Sequence, residues 1–454
     1  MVSSQVLDLC FVRFALLVAF SLTTLPLTST AQILPGGSGG TIFTPPQNLS
    51  NDPGNSWAHQ MVVDHQGNLD LTWWDDSPGY GAFFFKRSID GGLTFSSPQS
   101  LSNDPGGTGP ANMAVDSAGT IYLAWGTGTG AFFSRSSDGS NFSAPVQIIN
   151  YAAAPSIALG PNGNIYVGWV DETLYHNVFF SRSEDGGGSF SSPILLSATL
   201  PFDYHPLIAA DYSGNINVVW QSTLGGDTHI AFTRSSDGGN SFTAPVVLLG
   251  GDSRSLGIAL DSSGNIDVVF STVPFGNVFL DRSTDGGVSF ALTNVSNNNN
   301  IPHYITPGNA RMVLDCNDNI DVVWDDSIGN IFFTRSTDQG TTFTSKAIAN
   351  GTVHNFAPRI ALDSSGNINL VWIGLTSSYD IFFSRSTDNS TTFSPAQKLS
   401  NNTGNSSPDP QIVLDSLGNA YITWIDYSSG NADVFFTRDL VQVPPALPSL
   451  PSLP

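Results

Sequence analysis

Twelve arginines occur in 454 residues, and three of them break an otherwise regular pattern. Eight arginines, from Arg87 to Arg438, recur once per internal repeat, and Arg13 stands near the N-terminus. The three left over are Arg254, Arg311 and Arg359. Arg311 and Arg359 each stand four residues before an aspartate that opens a turn, Asp315 and Asp363. The equivalent position in other repeats holds Gln60, Asn112, Ser156, Leu207, Gly257 or Gln411. A guanidinium presents a planar fork of donors that matches a carboxylate bidentately. If the fold brings these three together, they form an anion clamp. The alternative is that Arg311 and Arg359 pair with nearby acids such as Asp326 or Asp380. His205, His303, Tyr304, His354 and Tyr379 are the polar and aromatic groups expected to line the same ligand site. Aromatic planes interleaved with hydrogen-bonding groups suit sugar recognition.

Metal chemistry finds little support in the spacing. Asp75-Asp76, Asp171-Glu172 and Asp325-Asp326 could offer oxygen ligands to Ca²⁺, but no calcium-loop spacing surrounds them. The seven histidines are scattered without zinc-site spacing. No metal and no other cofactor is expected.

The elements that must position these side chains follow from the repeat. From Pro358 to Pro395, four short runs rich in Val, Ile, Phe and Trp are separated by Gly, Asn, Asp and Ser, the signature of four strands joined by tight turns. The second strand ends in an aromatic at Trp73, Trp125, Trp169, Trp220, Phe270, Trp324, Trp372 and Trp424, spaced 44 to 54 residues apart. Such a period with four strands per unit predicts an all-β fold, a β-propeller of eight four-stranded blades. A seven-bladed ring with one stray unit is the alternative. Residues 43–54 repeat almost letter for letter at 95–106, which is a fourth strand, while the last unit lacks its own. The N-terminal strand is therefore expected to complete the last blade and close the ring, removing exposed edges. Antiparallel alternation places the first–second and third–fourth turns on one face. The opposite face carries the variable loops and six of the seven histidines, and function is expected there.

A second motif joins third to fourth strands. Arg-Ser-x-Asp-x-x-x-Thr/Ser-Phe occurs at Arg87–Phe95, Arg182–Phe190, Arg234–Phe242, Arg282–Phe290, Arg335–Phe343 and Arg385–Phe393, with a shorter copy at Arg135–Phe142. Its aspartate should accept backbone hydrogen bonds, its phenylalanine tuck under the hairpin, and its arginine pair with turn carboxylates such as Asp363. The motif resembles the Asp-box, or bacterial neuraminidase repeat, of the sialidase superfamily, with Phe where the family usually has Trp. The resemblance implies a β-propeller, although sialidases have six blades and these repeats count eight. It also implies an arginine triad for a sugar carboxylate, and a Tyr nucleophile paired with Glu plus an Asp acid/base. The family's early Phe/Tyr-Arg-Ile-Pro motif is missing; Pro358-Arg359-Ile360-Ala361 is an echo in another unit. Only two glutamates occur, so the catalytic candidates implied are Glu172 with Tyr175 or Tyr204, and Asp326.

Composition bounds the rest. The net charge is −22 with only 11% of residues charged, which argues against nucleic acid as a partner. Arg13, the apolar run from Phe14 to Leu27 and the small residues Ser29 to Ala31 read as a secretory signal over 1–31. A Gly/Ser-rich linker (32–41), the propeller (42–440) and a Pro-rich tail (441–454) follow, with no membrane span in the mature chain. Once the signal is removed Cys316 alone remains, so no intrachain disulfide can form. The expectation is a secreted (extracellular or periplasmic) monomer that binds an extracellular glycan or protein through its variable face without catalysis. The alternative is a glycoside hydrolase of sialidase type acting on acidic sugars.

Overall fold

The computed structural model describes residues 41–79, 81–102, 111–171, 176–197, 203–224, 226–248, 253–272, 277–296, 310–326, 328–351, 353–400 and 409–439. The expected signal, most of the linker and the tail lie outside them. No helix among the described residues is long and apolar enough to cross a membrane.

Nearly all regular structure is antiparallel β. Six sheets hold four strands each, and an eight-stranded sheet joins two further four-stranded units through one residue pair, Ala152 with Thr127. Each unit runs in sequence order. In the seventh unit, His354–Leu362 pairs with Ile368–Leu375, which pairs with Tyr379–Ser386, which pairs with Gln397–Lys398. One sheet breaks the order. Gln47–Asn48 pairs with Asp433–Arg438, so the N-terminal strand lies fourth in the sheet of the C-terminal strands. The first strands of successive units lie against one another, and the last of them, Gln411–Leu414, lies against the first, Ser56–Val63.

The core sits between sheets rather than within one. Seven tryptophans are fully buried: Trp73, Trp125, Trp169, Trp220, Trp324, Trp372 and Trp424. Apolar clusters bridge neighbouring units, as where Val323 and Phe333 meet Ile368 and Trp372. One such cluster joins Leu69, Leu71 and Trp73 to Tyr421, Val434 and Phe436 at the two ends of the chain. A second strand buried on both faces explains its near-continuous apolar runs.

The turn aspartates act as expected. Asp363 accepts from the main-chain N–H of Ser365 and Asn367 at 2.9 Å each and from Asn367 Nδ2 at 2.7 Å. Gly366 supplies the left-handed φ of +77° the turn needs. In the box, Asp338 accepts from Ser336 Oγ (2.8 Å), Thr342 N–H (2.9 Å) and Thr342 Oγ1 (2.6 Å). The box phenylalanine also reaches beyond its own unit. It packs against a third-strand phenylalanine of the preceding unit, as Phe393 does on Phe333 at 5.3 Å and Phe242 on Phe180 at 4.8 Å. The box is thus a contact between sheets as well as a hairpin turn.

The repeating arginines pair largely as expected. Arg87 binds Asp64 and Asp70, Arg282 binds Asp261 and Asp267, and Arg335 binds Asp315 and Asp321. Three others depart: Arg182 pairs with Glu184 at 3.1 Å, Arg438 donates to the Gly91 carbonyl at 2.7 Å, and Arg385 changes its partner. Asn369 replaces the second aspartate, and the ion pair is made with Asp439 at 2.6 Å instead of Asp363.

These carboxylates set a pH profile. Burial pushes Asp203 and Asp281 up to about 6, above the ordinary 3.8. Their native forms hold protons more tightly than the unfolded chain. That contribution to stability is fully present below 3.8 and is lost as pH rises through about 6. Hydrogen bonds from Thr342 and Thr392 hold Asp338 and Asp388 down to about 2, so their contribution is present above 3.8 and lost as pH falls through about 2. The Tm measured by calorimetry is therefore expected to peak near pH 4–5 and to decline toward pH 8; a maximum above pH 7 would contradict these shifts.

Candidate functional site

The strands that place Arg311 and Arg359 are the first strands of their units. Each residue occupies the position four before the turn aspartate, and neighbouring first strands bring equivalent positions side by side. A cavity of about 520 Å³ opens there, lined by Ala58, His59, Gln60, Asn112, Arg311, Met312, Val313, Arg359, Ile360, Asp409, Gln411 and Ile412. Five equivalent positions thus converge: Gln60, Asn112, Arg311, Arg359 and Gln411.

A repeated distortion shapes the mouth. The pairing register shifts between Trp57 and Gln60, between Tyr204 and Leu207, and between Phe356 and Arg359. The residue six before the turn aspartate is left-handed at Ala58 (φ +50°), His205 (+52°), Ala357 (+51°) and Asp409 (+36°). Such bulges re-aim side chains beside functional sites.

The two arginines are held differently. Arg359 donates from Nη2 to Asp409 Oδ1 at 2.7 Å and from Nε to the Pro410 carbonyl at 3.1 Å. The Asp409 side chain is 49% exposed, so this pair is weakly held against a competing anion. Arg311 donates from Nη1 to the Ala310 carbonyl at 2.9 Å and makes no ion pair among the described residues. Burial, then the neighbouring Arg359 charge, pushes Arg311 down to about 10, which leaves it cationic at neutral pH. His59 lies beneath, fully enclosed, and burial pushes it down to about 4, so it is neutral. Arg311 and Arg359 share this region with Asp409 on the cavity wall and with the buried Asp325, whose charge acts on Arg311. Gln60 and Asn112 are tied down, Gln60 Oε1 accepting from Met113 N–H at 2.7 Å and Asn112 Nδ2 donating to the Pro155 carbonyl.

The pairing with Asp326 or Asp380 is not found. Asp326 caps its own turn, accepting from Asn330 N–H at 2.8 Å and Asn330 Nδ2 at 2.7 Å. Asp380 pairs with Lys398 at 2.8 Å. Asp326 is thereby a turn cap rather than a free acid. Arg254 lies on Ser253–Leu260, and its side chain lies outside the described residues. So do Glu172, Tyr175, His303 and Tyr304. Tyr204 lies tilted against His176 at 5.6 Å and His205 at 6.5 Å, forming a separate aromatic patch. His354 and Tyr379 flank Phe356, each 5.8 Å from it, also apart from the cavity lining. Asp409 is the residue that sequence reasoning passed over. Its signal was position: an aspartate where other units hold Ala58 and Ala357, at a backbone angle that Asp tolerates better than most residues. No group of three His, Cys, Asp or Glu side chains among the described residues could hold a metal ion.

No protein-family model matches the chain, and no curated protein matches its sequence. Solved structures do match. The lectin BP39L of Burkholderia pseudomallei aligns at TM-score 0.51 and 11% identity, over 76% of this chain and 99% of the lectin. The fold is a β-propeller. Sialidases also stand among the matches. NanB sialidase of Streptococcus pneumoniae aligns at TM-score 0.38 and 15% identity, over 92% of this chain and 71% of that one. The intramolecular trans-sialidase of Ruminococcus gnavus aligns at 0.37 and 12%, over 85% and 94%. At such identities the likeness concerns the propeller fold alone.

Seven units carry the box at one place in the repeat, which assigns its residues to the scaffold. An Asp338→Ala chain is expected to melt at a lower temperature while its ligand affinity stays unchanged. Loss of binding at unchanged Tm would overturn that assignment.

Proposed function

We propose that this chain is a secreted, eight-bladed β-propeller, closed by its N-terminal strand, that binds the carboxylate of an acidic glycan in the cavity of Arg311 and Arg359 without catalysis. The observation that carries the binding reading is Arg311: a cationic guanidinium in a cavity of about 520 Å³, with no ion-pair partner among the described residues. An anionic ligand supplies what it lacks. The surrounding amides of Gln411 and Gln60 suit sugar hydroxyls. Six four-stranded sheets plus the two units of the eight-stranded sheet support the count of eight, and the pairing of Gln47–Asn48 with Asp433–Arg438 supports closure.

The non-catalytic reading rests on the lining. Among the described residues the cavity holds one carboxylate, Asp409, engaged with Arg359, and no tyrosine. Glycoside hydrolysis ordinarily needs two carboxyl groups placed about 5–10 Å apart, or a Tyr nucleophile with its partners. A glycan array carrying sialylated, uronic-acid and neutral glycans tests the proposal, beside the Arg311→Ala, Arg359→Ala chain. Acidic glycans bound by the wild type and lost by the variant support it. A folded wild type that binds none sinks it. Release of 4-methylumbelliferone from acidic glycosides, abolished with the arginines, would replace the binder with a hydrolase.

A further inference from the structure

Next to the cavity strand lies an aromatic pair of which one ring, Trp74, packs against a core cluster and the other, Trp57, stays exposed. Trp57 and Trp74 are direct cross-strand partners, and their rings stack at 5.2 Å and 19°. Trp57 is 37% exposed, in contrast to the seven fully buried tryptophans. Trp74 backs it, and its indole lies on Gly81, where any Cβ would meet the ring at 2.3 Å. Trp57 Nε1 donates to Tyr427 Oη at 3.4 Å, which fixes the edge of the ring from the other end of the chain. The indole is therefore held flat, with one face covered and the other turned outward. A core tryptophan has no need of an open face, and a solvated loop has no need of a backing ring.

The place of this platform links it to the cavity. Trp57 immediately precedes Ala58, His59 and Gln60, all of which line the cavity. Gln60 is three positions farther along the strand, so the platform stands at most about 10 Å outward from it. The register shift between Trp57 and Gln60 frees Trp57 from strict strand alternation and turns it to the rim.

We infer that Trp57 is a stacking subsite for a neutral pyranose ring joined to the acidic sugar in the cavity. The inference rests on the cavity reading above and makes the ligand an oligosaccharide with an acidic end. A pyranose has one face of C–H groups, which carry slight positive charge, and the face of an indole is negative. The stack buries apolar area on both partners. Tyr427 Oη, at the edge of the Trp57 ring, is the polar group placed to meet a ring hydroxyl.

The test compares two probe pairs by calorimetry on the full chain: N-acetylneuraminic acid with 3′-sialyllactose, and glucuronic acid with a trisaccharide ending in it. For at least one pair, the longer probe is expected to bind about tenfold tighter or more, the equivalent of about 1.4 kcal/mol. Trp57→Ala is expected to erase that gain while leaving affinity for the acidic monosaccharide unchanged, and Trp57→Phe to retain part of it. Acrylamide quenching gives a second readout that needs no variant, because Trp57 is the exposed tryptophan. The longer probe should protect its emission, and the monosaccharide should not. Equal affinity of the two probes, or a gain that survives Trp57→Ala, overturns the inference while the cavity reading stands. Failure of both acidic monosaccharides, with lactose binding that depends on Trp57, overturns the cavity reading and keeps the stacking site.

Discussion

Replacing both Arg311 and Arg359 with alanine is expected to weaken binding of a carboxylated sugar by about a hundredfold or more and to leave the fold intact. Each arginine would make charge-assisted hydrogen bonds to the carboxylate, worth about 1.5–3 kcal/mol apiece, and about 1.4 kcal/mol is tenfold in affinity. The singles differ in a way that separates a binding role from a structural one. Arg311→Ala removes a cation with no ion-pair partner among the described residues, so binding falls and Tm holds. Arg359→Ala also leaves Asp409 uncompensated at the mouth, where it repels an anion. Asp409→Asn works in the opposite direction. It frees Arg359 from its 2.7 Å partner and should tighten binding severalfold. Arg311→Lys should recover little, because an ammonium cannot supply the bidentate fork. Calorimetric titration at low and high salt measures all four. An Asp409→Asn chain that binds more weakly than wild type would mean the carboxylate helps hold the ligand, and the clamp as drawn would fall.

What the sequence made legible was whatever repeats. The aromatic closing each second strand recurs eight times, and the turn aspartate and the box seven times each, so the copies reinforce one another. The N-terminal fourth strand was legible because residues 43–54 nearly duplicate residues 95–106. The convergence of Arg311 and Arg359 followed from equivalent positions on neighbouring repeats. What stayed hidden depends on departures from the repeat. Arg385 pairs with Asp439, and it meets Asn369 where Arg87, Arg282 and Arg335 meet Asp70, Asp267 and Asp321. The box phenylalanine reaches the preceding sheet, a contact that no within-unit pattern encodes. Trp57 is set by a register shift and Asp409 by a left-handed backbone angle, and such a distortion changes which face a side chain presents. A pattern with period two cannot foresee it.

A chain lacking residues 41–51 is expected to lose most of its stability, although those residues form only two short pairings. Leu49 is 1% exposed and belongs to the cluster that joins both ends of the chain. Losing such a side chain costs about 2–5 kcal/mol. Asp433 is 1% exposed and accepts from Asn48 Nδ2 and Ser50 Oγ at 2.9 Å each. Each donor removed from a buried carboxylate costs about 1–3 kcal/mol. The Leu49 N–H to Val434 carbonyl bond at 2.7 Å also goes, and Asp433–Arg438 becomes an open edge. The sum rivals the whole stability of a typical domain, about 5–15 kcal/mol. An open array predicts otherwise, because a terminal strand of a linear stack frays at little cost. A synthetic peptide spanning residues 41–54 distinguishes a closing strand from a general defect. Added to the truncated chain, it should raise Tm progressively, with the logarithm of its concentration at excess, by pairing with the vacated edge. Two results count against closure: a truncated chain that melts with the intact one, or one that the peptide leaves unchanged while a point change at Leu49 has no effect on Tm.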